Sequence, residues 1–89
     1  MLVAGPATLK NITPLLAEGL VQVRAGVESV DLAEVSELDS SLLAAVLAWI
    51  REAGIRNQSL TVVNLPKGLQ TLAELYGVEA LLPVADTGE

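Results

Sequence analysis

Apolar positions along this chain change their spacing several times, and each change marks an element. Leu2-Val3-Ala4 reads as a short strand closed by Gly5-Pro6. From Thr8 to Asn11 the chain turns into a helix, with Thr13 suited to cap it, Pro14 to its first turn and Gly19 to its end. Ile12, Leu15, Leu16 and Leu20 form the apolar side of that helix. Val27 to Leu32 has the β-branched content of a buried strand, bounded by Gly26 and by a polar turn from Ala33 to Glu37. A long apolar helix is predicted from about Ser41 to Ala53, ended by Gly54. Leu60-Thr61-Val62-Val63 is a further strand, and Asn64-Leu65-Pro66 opens a last helix with Leu69, Leu72, Ala73 and Tyr76 on one face. Gly77 stops it, and Val78 to Pro83 packs back as an apolar segment. Strands alternating with helices predict an α/β domain with parallel pairings and right-handed crossovers.

The long helix carries the strongest signal. Leu38-Asp39-Ser40-Ser41 is a short acidic and hydroxyl turn, and no charge follows until Arg51. With successive residues about 100° apart, Leu43, Val46, Leu47, Ile50 and Ala53 fall on one side, the expected core face. Ser41, Ala44, Ala45, Ala48 and Glu52 fall on the other, with Leu42 and Trp49 along one border. Two readings of that second side stand open. The alanines are good helix formers and Trp49 folds over the core edge. Alternatively, the small residues and the flanking Trp49 form a protein-docking face. Ser40 likewise has two readings, as an N-cap or as a switch. A phosphate is tolerated at a helix N-terminus, yet the same charge disrupts a partner contact built around a neutral hydroxyl.

Composition narrows the function. With 89 residues, 52% of them apolar, this is one small domain with a real core; that core is aliphatic, for Phe is absent. Five Lys/Arg stand against eleven Asp/Glu, a net charge of −6. Lys10, Arg24, Arg51, Arg56 and Lys67 are scattered, which argues against nucleic acid and against docking on anionic lipid. Without Cys there is no thiol chemistry, and without His the commonest general base and metal ligand are missing. Asp31, Glu34, Glu37 and Asp39 cluster along one loop and read as a solvated turn rather than a metal or acid–base site. No phosphate loop and no nucleophile–base pair is present, so no enzyme, no cofactor and no metal is expected. The longest apolar run, Leu42 to Ile50, has nine residues, against about 20 for a membrane span. A cytoplasmic, soluble protein is the reading.

Val30-Asp31-Leu32-Ala33-Glu34-Val35, followed by Leu38-Asp39-Ser40-Ser41 and the apolar helix, resembles the STAS domain family. The resemblance runs from about Thr8 to Pro83, leaving 84–89 as a loose, flexible tail of the single domain 1–89. It implies a small mixed sheet with helices packed mainly on one face. In antagonist members the hydroxyl after the motif Asp is phosphorylated, and it maps to Ser40. The later words, Leu60 to Pro66, Leu69 to Val78 and Leu81-Leu82-Pro83, resemble the MlaB group within that family. That resemblance implies a non-enzymatic subunit that binds and regulates or stabilises an MlaF-like ATPase. The ATPase belongs to a phospholipid ABC transporter with a permease and a periplasmic lipid-binding protein, which maintains outer-membrane lipid asymmetry. The chain would then lie at the inner face of the inner membrane through its partner. The expected partner-binding residues are Asp39, Ser40, Ser41, Leu42, Ala45 and Trp49. The alternative is an anti-sigma-factor antagonist controlled by phosphorylation of Ser40. The chain departs from the family in two places. Leu42 stands where glycine usually follows the motif, and there is room for one strand, not two, before the first helix. The open strand edge this leaves predicts a homodimer by strand addition or segment exchange.

Overall fold

Residues 1–85 are described in a computed structural model. Its strands are β1 (Leu2–Ala7), β2 (Ser29–Leu38) and β3 (Thr61–Val63); its helices are α1 (Ile12–Arg24), α2 (Ser40–Ile55) and α3 (Lys67–Leu75), followed by a 3₁₀ turn at Glu79–Leu81. The strand order is β1-β2-β3, with both pairings parallel. Among the described residues the sheet is therefore parallel throughout, not mixed: a helix joins each strand to the next, and such crossovers make parallel neighbours. Right-handed crossovers that advance in one direction place α1 and α2 on the same face. There α1 packs on α2, and α3 packs on α2.

The strands run further than the sequence pattern suggests. β1 continues through Gly5-Pro6, and β2 continues through the supposed turn from Ala33 to Glu37. Leu2 pairs with Asp31 but Ala4 with Glu34; Gly5 pairs with Val35 but Pro6 with Glu37. β2 thus carries an extra residue at each of two bulges. As a result Val30, Leu32, Val35 and Leu38 face the helices, while Asp31, Glu34 and Glu37 face away. A spacing of two, three and three hides a strand from a period-two reading. At the far edge, Val84 bridges Val62; the Val62 N–H donates to the Pro83 carbonyl and the Ala85 N–H to the Val62 carbonyl, both at 2.9 Å. The expected loose tail is corrected at Val84 and Ala85, and residues 86–89 lie outside the described residues.

Each helix ends in the same way. Gly26, Asn57 and Gly77 take positive φ, and the next residue's N–H returns to the carbonyl five residues earlier: Val27 to Gln22, Gln58 to Ala53, Val78 to Ala73. This is the Schellman arrangement. α2 therefore runs past Gly54 to Ile55 and closes on Asn57.

α1 does not end at Gly19 either. Gly19 is buried in its middle, under the Trp49 ring. Trp49 is 0% exposed, and its Nε1–H donates to the Leu16 carbonyl at 3.1 Å. A Cβ on Gly19 would overlap the indole. This contact rotates α2 by roughly a sixth of a turn from the expected orientation. Leu43, Val46 and Ala53 are core residues as expected, Leu42, Ala45 and Trp49 join them, and Leu47 and Ile50 are only half-buried.

Gly19 and Gly54 separate steric from conformational effects. Gly19→Ala should destabilise by about 1–3 kcal/mol through overpacking against Trp49, despite alanine's better helix propensity. Gly54, helical and facing open space, should gain up to about 1 kcal/mol as Gly54→Ala. Thermal unfolding checks both, the two variants shifting Tm in opposite directions by several degrees.

Candidate docking site at the start of α2

Asp39, the last residue before α2, carries the local structure. It is extended, and its side chain caps the helix. The Ser41 N–H donates to Asp39 Oδ1 at 2.9 Å, and the Ser41 hydroxyl donates to the same oxygen. The other carboxylate oxygen accepts from the Leu9 N–H at 2.9 Å. One carboxylate therefore closes the helix N-terminus and fastens it to the β1–α1 loop. That loop is held from its own side by Asn11, whose Oδ1 accepts from the Thr8 N–H at 2.8 Å. The donors hold the Asp39 carboxyl below the usual carboxylate range, the Ser41 hydroxyl most and the Leu9 N–H next.

Ser40 is consequently not the cap. It is the first residue of α2, exposed, while Asp39 and Ser41 make the capping bonds. Continuing along the exposed side of α2, the residues are Ala44, Leu47, Ala48, Arg51 and Ile55, all within about a third of a turn of Ser40. Leu42, Ala45 and Trp49, expected on the docking face, are core residues at 0%, 2% and 0% exposure. The reason is the rotation imposed by Trp49, which is the largest apolar side chain in the chain and fits only where Gly19 makes room. The departure from glycine at Leu42 adds no bulk to the surface, because its side chain points inward.

Leu47 and Arg51 belong to the exposed side although the sequence did not single them out for it. The missed signal was Gly19: a glycine within an apolar helical pattern often marks close packing rather than an end. Leu81, 59% exposed, lies beside them across a groove of about 340 Å³ lined by Leu47, Ile50, Arg51 and Leu81.

The acidic residues do not converge. Asp31, Glu34 and Glu37 lie along the open face of β2, away from the Asp39 clamp. Asp31 accepts from the Asn64 amide at 3.0 Å and from the Ala33 N–H at 2.9 Å, which lowers its pKa, the Asn64 bond most. Among the described residues no group of His, Cys, Asp and Glu side chains could hold a metal ion. A larger cavity, about 510 Å³, lies at the end of β3 between Asn64, Gln70, Ala73, Glu79 and Leu82.

Asp39→Ala should lower Tm clearly, whereas Ser40→Ala should stay within about 0.5 kcal/mol of the parent. Because folding lowers the Asp39 pKa, its stabilisation is complete above the unfolded value of about 3.9 and disappears as pH falls through the folded value. The Tm gap between parent and Asp39→Ala should therefore be wide at neutral pH and shrink below about pH 4; thermal melts across that range check it.

No curated protein sequence matches the chain. Among solved structures it is similar to the anti-sigma factor antagonist SpoIIAA in its unphosphorylated form, with a TM-score of 0.70 and 17% identity over 97% of this chain and 77% of that one. It is similar also to the Bacillus cell fate determinant SpoIIAA in the phosphorylated form, at a TM-score of 0.67 and 16% identity over 97% and 80% of the two chains. At such identities the likeness is one of fold, and that fold is the expected STAS architecture. The family model described as "Mlab, STAS domain" matches residues 1–83, which takes in every element from β1 to the 3₁₀ turn, and the chain belongs to the STAS domain family.

Proposed function

We propose that this chain is a non-enzymatic STAS subunit of an ABC-type phospholipid transporter of the Mla kind. It docks on the cytoplasmic ATPase and regulates or stabilises it. The observation that carries this reading is the match of residues 1–83 to the family model described as Mlab. The geometry supports it. Ser40 is presented bare at the start of α2, with its neighbours Asp39 and Ser41 occupied in the cap. Behind it Ala44 and Ala48, both neutral and small, permit close approach. Among the described residues no helix is long and apolar enough to cross a membrane. In this reading attachment at the inner membrane runs through the ATPase, itself in complex with the permease and the periplasmic lipid-binding protein.

A second reading, an anti-sigma-factor antagonist, is favoured by the exposure of the Ser40 hydroxyl, which a kinase could reach without unfolding the cap. Copurification separates the two. Tagged chain from its native cell should bring down an ABC ATPase; an anti-sigma kinase in its place overturns the leading reading.

Ser40→Glu then tests the docking face directly. The variant should fold as the parent does, since a negative charge is favourable at a helix N-terminus. Its affinity for the purified ATPase should fall roughly tenfold or more, equivalent to about 1.4 kcal/mol. Ser40→Ala should bind nearly as the parent. Trp49→Ala, by contrast, should lose stability by about 3–5 kcal/mol, because the indole is core and not contact.

A further inference from the structure

The docking reading leaves the far half of the α2 face unexplained. Beside Ala44 and Ala48 the exposed side of α2 is neither uniformly small nor neutral. Leu47, Ile50 and Arg51 form one wall of the 340 Å³ groove, and Leu81 of the 3₁₀ turn forms the other. Leu81 is 59% exposed and Leu47 and Ile50 are half-buried, so the groove is open and lined by aliphatic surface. Among the described residues Arg51 is the only charged one lining it. The chain's ion pair among the described residues joins Arg24 to Glu52, at 3.2 Å, and Arg56 donates to the Arg24 carbonyl. Arg51 makes no such contact among those residues. Glu79, near Leu81 in sequence, lines the separate cavity with Asn64 and Gln70.

An aliphatic groove with one cation at its rim has a definite complement. A partner side chain of Leu, Ile, Val or Met fills the groove, and a carboxylate one helical turn away meets the guanidinium, which binds carboxylates in bidentate fashion. We propose that this groove is the specificity pocket of the docking face, and that its occupant is a partner segment presenting an aliphatic side chain beside an Asp or Glu that pairs with Arg51. The proposal rests on the docking reading above. It goes beyond it by separating two parts of the face: close approach around Ser40 and Ala44, and selection of the partner at Leu81 and Arg51.

A photoreactive benzophenone side chain placed at Ala44, and separately at Leu81, tests it in the full chain inside its native cell. Both should capture the same protein. The peptide caught from position 81 should carry an aliphatic residue within four positions of an Asp or Glu. Arg51→Glu, an exposed change, should weaken association with the captured protein about tenfold, the scale of one interfacial charge pair. Replacing the identified acidic residue by Lys should restore it, and Arg51→Gln should fall between. Capture from Ala44 without capture from Leu81 overturns the groove while the docking reading survives. No capture from either site overturns both. A segment lacking a carboxylate, or a second copy of this chain, caught at position 81 overturns the groove proposal as well.

Discussion

One contact decides the surface of this domain: the indole of Trp49 seated on Gly19. A buried Trp needs a partner for its N–H, and the Leu16 carbonyl provides it at 3.1 Å. Because that carbonyl belongs to α1, the hydrogen bond fixes the rotation of α2 about its own axis, not merely its distance. Rotation determines exposure. With Trp49 inside, Leu42, Ala45, Val46 and Ala53 must also turn in, and Ser40, Ala44, Leu47 and Arg51 must turn out. The face of α2 left exposed follows from a packing decision made on the opposite side of the helix.

The start of that helix is fixed by a second, polar device. Asp39 joins the α2 N-terminus to the β1–α1 loop with a single carboxylate. Asp39 is therefore structural, and Ser40 next to it is left with no structural duty. A hydroxyl that caps nothing can be modified or contacted without disturbing the fold, which suits an interface residue better than a cap would. The two devices act at different ends of one logic: an apolar lock sets which side of α2 faces out, and a polar clamp sets where that side begins.

Much of the fold is legible from local pattern. The order of strands and helices follows from apolar spacing and from turn residues, and Leu69 and Ala73 of α3 are buried as their periodicity requires, while Tyr76 of the same set lies past the helix end and is exposed. What is not legible depends on tertiary fit. β2 looks like a strand followed by a turn because two bulges shift its inward residues to Val30, Leu32, Val35 and Leu38. A helix with apolar residues on nearly every side has no preferred face of its own, so the rotation of α2 could be set only by its neighbour. Leu47 and Trp49 accordingly exchange the places their sequence positions suggest. The cap moves by one residue for a similar reason. Asp39, Ser40 and Ser41 are all able cap residues, and only the position of the Leu9 N–H chooses Asp39. The open face of the sheet, with Asp31, Glu34 and Glu37 on its central strand, keeps charge on a surface that would otherwise invite association. Pro6 interrupts the hydrogen-bonding run of β1, the edge strand, as protected edges commonly do.

The central claim is that Trp49 is locked in the α1–α2 interface and takes no part in docking. Since Trp49 is the only tryptophan, its fluorescence reports on that position alone. The account predicts a blue-shifted emission that resists acrylamide quenching in the free protein and does not change when the partner binds. An emission like that of tryptophan in water, quenched freely and protected only on binding the partner, would contradict it.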